Sequence, residues 1–406
     1  MNTHDDTQLT RELGREADRF VEHGGRELEM AQVLARAGEI KRGRRMRATM
    51  LMAACVLAIA APTALVVTHR DSSTAPQPTH KTTQTPQTKG DLSPLSLGDL
   101  HVGDSPHHGF SEDGTWQLRV AANGLGSLQG QVAAAAAVDG GALVAMQTDA
   151  GDTTAVFIHD QGGTSEHSWP METGSHFAVS AEGNIVTFVA PDGTPMAYQD
   201  GTAYPLPKIP AEGGYDTVAA FGPDCSVKLD FESCGAWVTT LGRKTGTWEA
   251  WSSGVVDQVA PRLKFVTAVS EERIAGVTKV RDDLSTCSEV ERFATGKPQW
   301  TLCGYQLTEF SPDGTHVLAR PDGDGAGDGS LAIYSADGKQ VFDLPVAHDG
   351  FIYQAVWEDD SHVLATVYEQ GRWAVLRIGL DGSREYAVEP VQGADETRSP
   401  FVLPTL

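Results

Sequence analysis

Phe310-Ser311-Pro312-Asp313-Gly314, followed by His316-Val317-Leu318-Ala319, is the stretch on which the reading of this chain turns. Pro, Asp and Gly in succession favour a tight turn with a positive φ at the glycine, and the apolar run after them favours a short buried strand. Weaker copies begin at Ala136, Val179, Phe221, Val269 and Val356, and a bare strand, Phe401-Val402-Leu403, stands at the C-terminus. Their starts are spaced by 43, 42, 48, 41, 46 and 45 residues. A second series ends strands with Asp-Gly or Thr-Gly: Asp113-Gly114, His159-Asp160 with Gly162, Asp200-Gly201, Thr245-Gly246, Thr295-Gly296, Asp337-Gly338 and Asp381-Gly382.

A β-meander recurring every 44 residues or so, without intervening long helices, predicts an all-β propeller. Both series have seven copies, so the expectation is seven blades, with six or eight as the neighbouring counts. The second series opens the domain and the first closes it. A ring joined by pairing the C-terminal strand 399–406 with strands of residues 99–130 follows, and such closure removes exposed strand edges.

At these residues the chain resembles the TolB-like branch of WD-repeat propellers, whose blades carry Phe-Ser-Pro-Asp-Gly before one strand and Asp-Gly after the next. The resemblance covers residues 99–406. Only Phe310–Gly314 matches in full, while Phe221-Gly222-Pro223-Asp224 comes close. The resemblance implies binding or scaffolding and brings no catalytic residues. TolB-like proteins usually have six blades.

The chain has 406 residues and a formal net charge of −23, which argues against nucleic-acid binding. Up to Arg47 there are ten Lys and Arg against nine Asp and Glu, leaving 21 against 45 beyond it. Residues 48–68 are apolar and uncharged, long enough for one transmembrane helix. The basic cluster Lys41, Arg42, Arg44, Arg45 and Arg47 precedes that run, so the positive-inside rule places residues 1–47 in the cytoplasm and everything after the helix outside the cell membrane. Leu9, Leu13, Ala17, Phe20 and Val21, then Met30, Val33, Leu34, Ala37 and Ile40, form two amphipathic stripes in the tail. Residues 69–98, dense in Thr, Pro, Gln and Ser, read as a linker, and 99–406 as the extracytoplasmic propeller.

Outside the cytoplasm disulfides persist, and the close spacing of Cys225 with Cys234 and of Cys287 with Cys303 predicts two local bridges. Asp322, Asp324 and Asp328 alternate with glycines in a loop that offers hard oxygens for Ca²⁺, but the bidentate Glu of a complete calcium loop is missing. Calcium is the one cofactor considered; none is expected otherwise. His101, His107 and His108 read as exposed entry residues, because fixed-spacing Cys or carboxylate partners for zinc are absent.

No Gly-x-Ser-x-Gly, His-Glu-x-x-His, phosphate-binding Gly-rich loop or Cys-x-x-Cys occurs, so the expectation is that the chain is not an enzyme. The expected role is a membrane-anchored binding or scaffold module for a protein or peptide of the cell envelope. The alternative is a transmembrane signalling regulator with a cytoplasmic partner for residues 1–47. In layout alone that arrangement is similar to transmembrane anti-sigma regulators.

Overall fold

The computed structural model describes residues 93–98, 100–106, 110–111 and 131–405, apart from a few turn and loop residues within the last span. The tail 1–47, the apolar run 48–68, the linker up to 92 and the histidines at 107 and 108 lie outside the described residues. Among those described, no helix is long and apolar enough to cross a membrane.

Six antiparallel four-stranded sheets, each a simple meander, occupy residues 131–171, 178–205, 215–259, 265–303, 305–345 and 351–392, numbered here as blades 1 to 6. The first strands of successive blades pack against one another and so line the centre of the ring. The fold is a β-propeller. Its blade count among the described residues is six, which corrects the count of seven. Among the described residues the seventh copy of the repeat yields a two-stranded sheet, Phe110–Ser111 paired antiparallel with Phe401–Val402.

That pairing joins the two ends of the domain. Phe401 and Leu403 pack on Trp373 and Val375 of blade 6, whereas Val402 packs against the core of blade 1. Thr405 exchanges backbone hydrogen bonds with Ala135 and Ala137, and the Gln354 amide bonds the backbone of Leu403 at both ends. The C-terminal segment thus fills the position of an inner strand between blades 6 and 1.

The turns follow from residue chemistry. Gly140, Gly183, Gly201, Gly314, Gly338 and Gly382, all from the repeat's turns, have φ between 67° and 86°, a region that costs a side chain energy. Aspartates of the repeat's turns form Asx turns: Asp313, Asp359 and Asp381 each accept the backbone N–H two residues on, from Thr315, Ser361 and Ser383. The same turn recurs at Asp192 with Thr194 and Asp224 with Ser226.

Between the strands, the core lies where one blade faces the next. Leu331, Ile333 and Leu344 of blade 5 pack with Ile352, Trp357 and Leu376 of blade 6, for example. Five of the six innermost strands carry a register shift at one place, between Val132/Ala134, Thr217/Ala219, Val266/Ala268, Leu307/Glu309 and Ile352/Gln354. A bulge frees the ladder hydrogen bond before it. In two blades a hydroxyl of the preceding blade collects it: Val266 N–H donates to Thr247 Oγ1 at 2.9 Å, and Leu307 N–H to Ser288 Oγ at 3.3 Å.

Residues 93–98 and 100–106 form a strap. Leu95 bridges in parallel to Val346 and Val102 to Tyr386, along the outer edges of blades 5 and 6. Leu95 and Leu97 are 0% and 1% exposed, so the folded domain begins before residue 99. Two large apolar side chains two positions apart reach one core face, and the Thr/Pro/Gln composition around them hid this.

Candidate functional site

Aromatic and acidic side chains gather between blades 3 and 4. Directly opposite residues of antiparallel strands point to the same side. In blade 3, Ala219, Trp237, Glu249 and Asp257 form one such row, and Phe221, Gly235 and Trp251 the next. Trp237 packs with Leu263, Val266 and Ile274, so this side faces blade 4. Blade 4 answers with Glu291, opposite Ile274, and with Glu289 two residues before it. At the rim, Phe293 lies parallel to Trp237, ring centroids 5.5 Å apart and planes 10° apart.

Gly235 makes the aromatic part of this wedge. A Cβ there would meet the Trp251 ring at 2.7 Å, so only glycine lets that ring lie across the strand. Trp251 stacks on Phe221 at 5.9 Å, and Phe221 meets Trp237 edge-on at 5.4 Å. Four rings therefore run from Trp251 through Phe221 and the buried Trp237 to the exposed Phe293.

The acidic part is unevenly neutralised. Arg262, on the connection between the blades, contacts Glu289 at 3.3 Å and Glu291 at 3.5 Å. Thr301 donates to Glu289 at 3.3 Å. The Glu291 side chain is 2% exposed, and its Oε1 has no hydrogen-bond partner among the described residues. Burial pushes the Glu291 carboxyl above its ordinary value; Arg262 opposes this and neighbouring Glu289 reinforces it. Glu249 is half-buried and Asp257 exposed at the outer lip. Four carboxylates and one guanidinium share the wedge, so a cationic group entering it meets attraction on both walls, with aromatic faces beside it.

A second polar locus lies beneath the strap: a cleft of about 90 Å³ lined by His101, His362, Arg377, Ser383, Arg384 and Glu385. Its charges serve the strap itself. Arg384 donates to the carbonyls of Ser93 and Pro94, and Arg377 donates to that of Asp104. Arg377 grips Glu358 with two nitrogens and also contacts Glu385, which meets His101 at 2.9 Å. The buried Glu369 accepts from Ser96 and from the backbone N–H of Leu97.

The residues singled out from sequence fall elsewhere. Cys225 and Cys234 are joined by a disulfide, Cα atoms 4.7 Å apart, in the first turn of blade 3. Cys287 and Cys303 are joined across the third and fourth strands of blade 4, Cα atoms 4.0 Å apart. Asp322 accepts from the backbone N–H and hydroxyl of Thr286 at 2.6 and 2.7 Å, and Asp328 pairs with Arg320. Asp324 lies outside the described residues, and no group of three potential metal ligands occurs among them. The wedge itself escaped the sequence reading. Glu289 and Glu291, two apart in a strand, signal a shared face, but nothing local says that Trp237 and Glu249 stand opposite.

No protein-family model and no curated protein matches the sequence. Matching solved structures include the β-propeller domain of Cps50 (Swd1) from Myceliophteria thermophila, at 9% identity over 66% of this chain and 88% of that one, with a TM-score of 0.44. Another is a putative TolB from Agrobacterium tumefaciens, at 12% identity over 55% and 84%, TM-score 0.38. A third is the hydrazine synthase of Kuenenia stuttgartiensis, at 12% identity over 63% and 79%, TM-score 0.41. Likeness at this level concerns fold alone. Because an enzyme stands among these structures, the expectation that the chain is not an enzyme is withdrawn: this architecture is common to enzymes and non-enzymes, and missing linear motifs do not separate them.

Proposed function

We propose that the propeller is a binding or scaffold module, tethered outside the cell membrane by residues 48–68, and that it takes a protein or peptide segment carrying basic side chains beside apolar ones. The wedge between blades 3 and 4 carries this reading: a four-ring aromatic run ends at an exposed Phe293, with Glu249 and Asp257 in the row of Trp237 on one wall and Glu289 and Glu291 on the other. Rigid aromatic surface with a charged rim loses little entropy on binding and sets partner choice by charge. The overall negative charge works in the same direction, raising the encounter rate with cationic partners. Two disulfides support an oxidising compartment.

The test compares the full chain with a Glu249→Lys/Asp257→Lys variant as baits for envelope extracts. The expected result is a partner retained by the unmodified chain in low salt, weakened by added salt and lost from the variant. Equal recovery by both would overturn the assignment of the wedge. A second reading, the transmembrane regulator, is favoured by the strap, since it clamps the linker's end onto blades 5 and 6 through Leu95 and Leu97. Under that reading, residues 1–47 used as a separate bait recover a stoichiometric cytoplasmic partner.

A further inference from the structure

The two disulfides stand in unequal surroundings. Cys225 and Cys234 are 3% and 0% exposed and belong to a core cluster with Ile185, Leu206 and Ile209. Cys287 is also buried, at 6%, but its partner Cys303 is exposed. Cys303 is the last residue of Lys297–Cys303, the outermost strand of blade 4, with which no further strand pairs among the described residues. A reagent in solvent therefore meets an exposed cysteine at one end of this bridge in the folded protein, whereas both cysteines of the other bridge are buried.

The second difference is electrostatic. The Arg281 guanidinium donates to Cys287 Sγ at 3.6 Å. In thiol–disulfide exchange the departing sulfur carries the negative charge, and the exchange is faster when that thiolate is stabilised. Attack at Cys303 makes Cys287 the departing sulfur, beside the cation. Accessibility and charge thus select the same direction of reaction.

We propose that Cys287–Cys303 is a redox modification site that exchanges with a dithiol in the folded protein, with Cys303 as the attacked sulfur. A thiolate of the dithiol bonds to Cys303 Sγ, the Cys287–Cys303 bond breaks, and its electron pair stays on Cys287 Sγ. The second thiolate of the reagent then attacks its own mixed-disulfide sulfur and releases Cys303. The protein gains two electrons and two protons; the dithiol becomes a disulfide and supplies both.

The bridge sits at a tight crossing. Gly304, with φ 84°, is the single residue between the outermost strand of blade 4 and the innermost strand of blade 5, Tyr305–Phe310. Its N–H donates to Thr286 O at 2.9 Å, and its carbonyl accepts from Asp322 N–H at 2.9 Å. Asp322 returns to Thr286, next to Cys287. Opening the bridge removes the covalent tie between the third and fourth strands of blade 4 at this crossing, which then rests on these hydrogen bonds and on the packing of Trp300 and Leu302.

The experiment treats the full chain with dithiothreitol under native conditions, quenches with an alkylating agent and maps labelled cysteines against time. The Cys287–Cys303 bridge opens at least about tenfold faster than Cys225–Cys234, because the buried bridge waits for local unfolding. A brief exposure to glutathione places the adduct on Cys303. Arg281→Gln slows the opening of Cys287–Cys303 by about threefold or more and leaves the other bridge unchanged. Opening at equal rates, Cys225–Cys234 opening first, an adduct on Cys287, or an Arg281→Gln rate equal to that of the unmodified chain would each overturn the proposal. The order of opening needs no substitution, so a poorly folding variant does not remove the test.

Discussion

Glu309 shows how one side chain couples the innermost strand of blade 5 to pH. Burial pushes its carboxyl up to about 8, a backbone N–H bond from Trp357 pulling the other way. A carboxyl raised in the folded state holds a proton that the unfolded chain releases, so stability falls as pH rises. The loss runs from the ordinary value of 4.5 up to about 8. Thermal unfolding measured from pH 5 to pH 9 is therefore expected to show a midpoint that declines across that window, with Glu309→Gln flattening the decline. A profile that is the same in the variant contradicts the assignment. Gly235 supplies a second test at this scale. Gly235→Ala drives a methyl into the Trp251 ring and the strand behind it, which costs about 1–3 kcal/mol and unstacks Trp251 from Phe221. Denaturant unfolding measures the first effect and near-ultraviolet circular dichroism the second. Much at this scale was legible beforehand, since Asp313-Gly314 and Asp381-Gly382 state their turns in their own chemistry. Gly235 was not, because its requirement comes from a ring sixteen positions away.

Among the elements, the repeat in the sequence announces strands but conceals how they are joined. The bulge before Ala268 and the one before Glu309 have no composition of their own, yet each turns a backbone N–H toward a hydroxyl in the preceding blade. Ser288 and Thr247 look like ordinary strand residues until the neighbouring blade is in place. Ser288→Ala leaves the Leu307 N–H, and the Tyr305 carbonyl that the hydroxyl also serves, without this partner inside a buried interface. The expected cost is about 1–3 kcal/mol, and Thr247→Val, which removes the acceptor for Val266 N–H, falls in the same range. Urea denaturation distinguishes this from a surface substitution, for which a change within about 0.5 kcal/mol is expected. The strap makes the same point differently. Its Leu95 and Leu97 were visible as apolar residues, but the surrounding Ser, Thr and Pro gave them no period, and only the cleft between blades 5 and 6 makes them core.

At the scale of the whole molecule, the offset between the two turn series correctly placed the chain's two ends side by side, while seven copies of each series overstated the blades. Counting turns counts hairpins, and a hairpin is a blade only when two more strands extend it. Between blades 6 and 1 the last copy contributes Phe401–Val402, paired among the described residues with Phe110–Ser111 alone. This short segment is nevertheless bonded on three sides, to blade 6 through Gln354, to blade 1 through Ala135 and Ala137, and to the start of the domain. Phe401 and Leu403, 3% and 0% exposed, bury against blade 6. Burying two such side chains stabilises by about 3–6 kcal/mol before hydrogen bonds are counted, which is comparable with the net stability of many domains. Deleting residues 399–406 is therefore expected to lower the thermal midpoint of the entire propeller in one cooperative step, rather than to fray one end. Hydrogen exchange tells the two apart: loss of protection in blades 1 and 6 together, on opposite flanks of the missing strand, follows from closure. Loss confined to residues next to the cut, with an unchanged midpoint, would show that the ring does not depend on this segment.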